Sequence, residues 1–278
     1  MPLNAERSLR EVVQPNIPQN QLCGPDTSGV MRLVASALAE NRLQCAFQPV
    51  VSAAKPDVVA FHECLARIID RNGDVIPAGR FIPATEDSDI GRLIDRAVLR
   101  QALDVLRSQR RVRLSINLSA AGLGDTVWLD ILRDADRETP GICDFLIIEI
   151  TESAFMAMSP DVLDFLSDIR ALGCSVALDD FGAGHTSIGH LTKFRFDFIK
   201  IDGSFITGLT SDADNQFLVK SMVSIARHFE MVCVAEMVDS DADIAMLQKL
   251  GVDCLQGYHV GVPVMDPPGA PRRRAATG

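Results

Sequence analysis

Seven side chains of the kinds that bind ions or move protons recur at the ends of short apolar runs in this chain. Glu63 interrupts the run of Val59, Ala60 and Phe61, Asn117 closes Leu114-Ser115-Ile116, and Glu149 follows Leu146-Ile147-Ile148. Asp179 and Asp180 end Val176-Ala177-Leu178, Lys200 follows Phe198-Ile199, and Glu236 follows Val232-Cys233-Val234-Ala235. Any one of them alone reads as a strand-end cap or an ion-pair partner. Five carboxylates converging on one mouth with a single lysine would repel one another without a cation, because each ionised carboxylate costs several kcal/mol to desolvate. Oxygen ligands of this kind suit Mg²⁺ or Mn²⁺ rather than zinc, and the adjacent pair Asp179-Asp180 can bridge one ion and reach a second. Two such ions about 4 Å apart polarise a phosphoryl group and generate hydroxide from bound water, whereas the larger, more loosely coordinated Ca²⁺ is expected to inhibit. Lys200 carries two readings: a structural lysine neutralising Asp202 or Glu149, or a group beside the attacking water that orients it and screens developing charge.

The elements that must position these residues alternate along the chain. Short β-branched runs are predicted as strands near 47–51, 59–66, 114–118, 146–151, 175–180, 198–202, 232–236 and 254–258. Amphipathic segments separate most of them, which means parallel strands with crossover helices. Two helices carry their own punctuation. Ser159-Pro160-Asp161 supplies a cap, a first-turn proline and an early acid before Leu163, Leu166, Ile169 and Leu172, with Gly173 as the stop; the other runs from Ser240 to Gly251, with Asp243 three residues after its cap. Eight strands in about 240 residues fit one closed (β/α)8 barrel better than two open sheets, and catalytic side chains in such barrels come from the C-terminal ends of different strands. Gly182 and Gly184, just after the aspartate pair, predict a turn with backbone angles that only glycine adopts freely.

Composition excludes several classes of function. The chain has 278 residues, 47% hydrophobic content and a net charge of −10, so it can bury a large core, while an acidic surface lacks the positive field that nonspecific nucleic-acid binding needs. Arg272, Arg273 and Arg274 fall in a Pro/Gly/Ala-rich stretch and read as a solvated terminus. No apolar run approaches the about 18 residues that cross a bilayer, and no apolar signal core follows the N-terminus, so the expectation is a cytoplasmic protein without membrane insertion. Seven cysteines without metal-type pairing and five histidines without two-histidine spacing argue against a disulfide framework or a zinc site. The domain reading is a flexible N-terminal arm over 1–27, a barrel over 28–266 and a disordered tail over 267–278.

At this point the motifs resemble a family, the EAL-domain phosphodiesterases that cleave the bacterial second messenger cyclic di-GMP. Glu63-Cys64-Leu65-Ala66-Arg67 resembles the signature Glu-Ala-Leu-x-Arg. Gln48-Pro49-Val50-Val51, Phe81-Ile82-Pro83, Asn117-Leu118-Ser119, Glu149-Ile150-Thr151-Glu152-Ser153, Asp179-Asp180-Phe181-Gly182, Lys200-Ile201-Asp202, Val234-Ala235-Glu236 and Gln256-Gly257-Tyr258 follow in the family's order. The resemblance implies a modified barrel whose first strand is antiparallel to the rest. It implies that Glu63, Asn117, Glu149 and Asp179 bind one metal, with Asp179 shared and Asp180 on a second. It further implies that Lys200 and Glu236 position and activate water, that Arg67 contacts substrate phosphate, and that Gln48 and Gln256 lie at the base pocket and beside the site. Glu152 is similar to a residue anchoring the loop after Asp180, which couples the metal site to a dimer interface. The implied activity is hydrolysis of cyclic di-GMP to linear pGpG with two Mg²⁺ or Mn²⁺ ions, in a homodimer open to a regulatory protein partner. The alternative is a catalytically weak or inactive cyclic di-GMP receptor. The chain departs from the pattern at Ala183, His185 and Thr186 in the loop, and at Met237 and Asp239, where Gly and Glu are usual. A positive φ at Met237 would cost about 1–2 kcal/mol and tilt Glu236.

Overall fold

A computed structural model describes residues 27–109, 112–156, 160–184, 191–192 and 194–269. Of the arm expected over 1–27 and the tail expected over 267–278, residues 1–26 and 270–278 lie outside the described residues, as do the Ser159 cap, His185 and Thr186.

Nine strands form one sheet: β1 (Leu43–Ser52), β2 (Lys55–Ile69), β3 (Val75–Pro77), β4 (Leu114–Asn117), β5 (Leu146–Thr151), β6 (Ser175–Phe181), β7 (Phe198–Ile201), β8 (Val232–Ala235) and β9 (Cys254–Leu255). Their order is β1-β9-β8-β7-β6-β5-β4-β2-β3, and the additional pairing of β1 with β2 closes eight of them into a barrel. β1 runs antiparallel to both its neighbours, while every pair from β2–β4 round to β8–β9 is parallel. The eight predicted strands all appear, as does the implied reversal of the first. β3 was not foreseen: three residues pair with Arg67–Ile69 on the part of β2 that extends past the barrel. For that reason Glu63 lies in the middle of its strand and not at its end, although it is level with the last residues that β2 pairs with β4.

Helices α1 (Thr27–Ala39), α2 (Asp89–Ser108), α3 (Thr126–Glu138), α4 (Glu152–Met156), α5 (Pro160–Ala171), α6 (Ala213–His228) and α7 (Asp241–Leu250) surround the barrel. α7 behaves as its sequence predicts. Asp243 N–H donates to Ser240 Oγ, and Gly251 ends the helix at φ 90°. Among the described residues no helix is long and apolar enough to cross a membrane, and the six described cysteines are free and buried.

Two apolar layers follow from strand alternation. Outward side chains such as Ile116, Ile148, Leu178, Ile199 and Cys233 join the large core between barrel and helices. Inward ones form a separate plug: Val50, Phe61, Ile147, Ala177, Phe198, Val234 and Cys254, contributed by seven strands. Phe61 and Phe198 meet edge to face at 5.6 Å in it.

Candidate active site

The site lies one pleat above the plug. Side chains two residues apart on a strand share a face. Hence Phe61 is followed by Glu63, Ile147 by Glu149, Ala177 by Asp179, Phe198 by Lys200, Val234 by Glu236 and Cys254 by Gln256. β1 runs the other way, so its contribution comes two residues before Val50, at Gln48.

Lys200 is the hub. Its side chain is 1% exposed, and Nζ lies 2.6 Å from Glu236 Oε1, 2.9 Å from Glu149 Oε2, 3.1 Å from Asp179 Oδ1 and 3.5 Å from Glu63 Oε2. Glu63 is held from both sides. Asn117 Nδ2 donates to its Oε1 at 2.7 Å and Gln256 Nε2 to its Oε2 at 2.5 Å, while Gln256 also donates to Gln48 Oε1 at 3.3 Å. Gln48 in turn donates to the Gly261 carbonyl at 3.0 Å. The structure therefore brings Gln48, Glu63, Asn117, Glu149, Asp179, Lys200, Glu236 and Gln256 into one connected network.

Asp180 reaches the same mouth by a different route. Alternation would turn it away from Asp179, but the β6–β7 register is irregular between Leu178 and Phe181, and Asp180 takes φ 56°. Aspartate tolerates this left-handed conformation better than most residues, and the kink re-aims its side chain. Oxygens of Asp179, Asp180 and Glu236 fall within 4.8 Å of one another.

Burial and mutual repulsion set the protonation of the cluster. Burial alone would lower the Lys200 ammonium, but Asp179, Glu149, Glu236 and Glu63 together raise it well above its ordinary value. Glu63 is net lowered, because Lys200, Gln256 and Asn117 outweigh its burial. Glu149 is pushed well above the carboxylate range by burial and by Glu63 and Asp179. Burial raises Asp179 in the same sense. Burial, helped by Asp179, lifts Asp180 to about 6 and Glu236 to about 8. Carboxylates held above their ordinary range are short of positive charge. Among the described residues Glu149 Oε1 is buried without a hydrogen-bond partner. Both observations fit a site that takes divalent cations through oxygen.

Two assigned residues stand apart from the network. Arg67 lies on the same face of β2 as Glu63, four residues on; its Nη1 donates to the Ala66 carbonyl and its guanidinium has no carboxylate partner among the described residues. Glu152 does not touch the cluster. It is buried in α4, and its Oε2 accepts the Gly182 N–H at 2.9 Å. Gly182 has φ 98°, as a tight turn requires, whereas Gly184 has no positive φ and lies where a Cβ would sit 2.6 Å from Glu152 Oε1.

One buried acid was not foreseen. Asp95 on α2 accepts from Ser119 N at 3.2 Å and Oγ at 2.6 Å, which fixes the turn just after Asn117. Burial lifts it to about 7. Its signal was present in the sequence, since Asp95 falls on the apolar stripe of Ile94, Val98, Leu99 and Ala102. Beside the cluster a cleft of about 710 Å³ runs from Asn117, Asp179 and Asp180 past Leu65, Ile82 and Pro83. Met237, directly after Glu236, has φ 52°, so this methionine carries the about 1–2 kcal/mol left-handed cost.

Fold and site together define a modified α/β barrel with a buried acidic mouth of the type that takes hard cations. The chain belongs to the EAL domain family, whose model matches residues 32–263. Among curated relatives it is 32% identical over 236 residues to the cyclic di-GMP phosphodiesterase PdeB of Shewanella oneidensis, covering 83% of this chain but only 27% of that protein. Among solved structures, the PaMucR phosphodiesterase in complex with c-di-GMP superposes with a TM-score of 0.78 at 28% identity, covering 85% of this chain and 97% of that one. The FimX EAL domain of Pseudomonas aeruginosa bound to c-di-GMP gives 0.78 at 26% identity, covering 86% and 98%.

Proposed function

We propose that this chain hydrolyses cyclic di-GMP to linear pGpG with two divalent cations, Mg²⁺ or Mn²⁺. The observation that carries the reading is the Lys200 cluster: five carboxylates and three amides gathered over an apolar plug, four of the acids within 3.5 Å of one ammonium. Glu63, Asn117, Glu149, Asp179 and Asp180 would hold the ions, which when bound supply Lewis-acid polarisation of the phosphoryl group. Asn117 spends its Nδ2 on Glu63 and so has its carbonyl oxygen to offer. Glu236, held at about 8, suits a group that accepts a proton from the attacking water near neutral pH. Lys200 fixes Glu236 Oε1 at 2.6 Å and screens charge that builds on the phosphate. Arg67, with no carboxylate partner among the described residues, meets a phosphate of the substrate. Gln48 and Gln256 keep Glu63 oriented and close the base end of the site. Glu152 is a positioning residue that holds the turn after Asp180. Ca²⁺ inhibits, because its looser coordination does not keep two oxygens in reactive geometry. The proposal extends to a homodimer with a regulatory protein partner in the cytoplasm.

The test is direct. Purified protein with cyclic di-GMP and Mg²⁺ or Mn²⁺ should yield pGpG on chromatography, with GMP following much later. GMP from the first time points would overturn the product, and tight binding without conversion would favour the receptor reading.

A further inference from the structure

Gly203 opens the short helical turn Gly203–Phe205 that follows β7, three residues after Lys200. It is buried, and its φ lies outside the left-handed region, so the backbone there does not require glycine. Space does. A Cβ at 203 would lie 2.8 Å from Met237 Cβ and nearer still to Met237 Cγ and Sδ. Met237 therefore rests on the bare backbone of Gly203.

This contact joins the ends of the two strands that hold the tightest ion pair in the site, Lys200 with Glu236. β7 carries Lys200 and β8 leads into Glu236. Glu236 N–H donates to the Ile201 carbonyl at 3.3 Å, and Val238 N–H donates to the Gln256 carbonyl at 2.9 Å. Between these anchors the chain crosses from β7 towards β9 through the left-handed turn at Met237. The Cβ of Met237 is fixed by that turn, so a rotamer change alone cannot clear an atom placed 2.8 Å away. The backbone at 203 or at 237 must give, and a shift at 237 carries Glu236 with it.

We propose that Gly203 is a positioning residue for Glu236 and acts through Met237: the bare backbone at 203 is what lets methionine occupy the left-handed turn without displacing Glu236 from Lys200. The part of this inference that concerns turnover rests on the phosphodiesterase reading above; the part that concerns cation binding does not.

Four full-length proteins test it: wild type, Gly203→Ala, Met237→Gly and the double variant. Each is assayed for cyclic di-GMP turnover in Mg²⁺, and for Mn²⁺ affinity from the spin-resonance signal of free Mn²⁺. Gly203→Ala should lower kcat about tenfold with KM within about twofold, since a displacement well under 1 Å at a reacting group suffices for such a loss. It should weaken Mn²⁺ binding about threefold, because a Glu236 oxygen lies with those of Asp179 and Asp180. Met237→Gly should stay within about threefold of wild type, because glycine accepts φ 52° freely and both backbone anchors remain. In that background Gly203→Ala should cost less than about twofold in either measurement. Rescue of folding by Met237→Gly, should Gly203→Ala alone fail to fold, supports the same coupling. Equal losses from Gly203→Ala in both backgrounds, no loss in either, or a double variant that also fails to fold would overturn it. A wild type without turnover would count against the phosphodiesterase reading, and the Mn²⁺ affinities would still decide this one.

Discussion

The plug and the mouth are built by the same strands two residues apart, yet they are opposite in kind. Phe61, Ile147, Ala177, Phe198 and Val234 fill the barrel with carbon; Glu63, Glu149, Asp179, Lys200 and Glu236, one pleat higher, crowd it with charge. The lower layer contributes to stability through burial and close packing. The upper layer works against it, because four acids share one ammonium over an apolar floor. The difference teaches that each layer makes the other useful: the plug supplies the low-dielectric base that lifts Glu236 to about 8 and Asp180 to about 6.

Substitutions in the two layers should therefore separate cleanly, and this is the largest effect expected. Asp179→Asn should cut turnover by about a thousandfold while leaving unfolding stability unchanged or slightly higher, because it removes one of the repelling charges. Phe198→Ala should do the reverse. It opens a cavity beside Phe61 and should cost about 3–5 kcal/mol in urea unfolding, with the turnover of the molecules that remain folded reduced much less. A stability loss in Asp179→Asn as large as that in Phe198→Ala would dissolve the distinction between the layers.

A smaller effect is expected from pH. Asp180, Asp95 and Glu236 are held at about 6, 7 and 8 against ordinary values of 3.8, 3.8 and 4.5. Between those limits the folded chain keeps protons that the unfolded chain has lost, so stability should fall as pH rises. Glu63, lowered from 4.5, works in the opposite sense only at the acidic end. In chelator, the midpoint of thermal unfolding should drop by roughly 5 °C from pH 5 to pH 8, allowing for screening at half-exposed Asp180. Added Mg²⁺ should flatten the slope, with its largest stabilisation at pH 8. A midpoint that climbs over this range would mean that the mouth is not short of positive charge.

The smallest effect sharpens the boundary of the mouth. Glu152 touches Gly182 and not the cluster. Glu152→Ala should lower kcat about tenfold in Mg²⁺ and change cyclic di-GMP affinity in Ca²⁺ by less than about twofold, since the loss falls on the geometry around Asp180 and not on base recognition. Equal proportional losses would place Glu152 in the walls of the pocket instead.

The sequence by itself determined eight of the nine strands and the acids at the mouth. These are local properties: an apolar run two residues from a charge states which face the charge shares, whatever surrounds it. Only the tertiary structure decided which side chains meet. Gln48 enters the layer from the opposite direction because β1 runs antiparallel, a fact fixed by hydrogen bonds to β2 and β9 that leave no trace in β1 itself. Asp180 joins the mouth against its own alternation because the β6–β7 register slips beside it. Asp95 found its partner in Ser119, 24 residues away. Met237 kept a glycine's turn because Gly203, on another strand's end, leaves it room. Each of these depends on contacts between segments far apart in the chain, and closure of the barrel creates them.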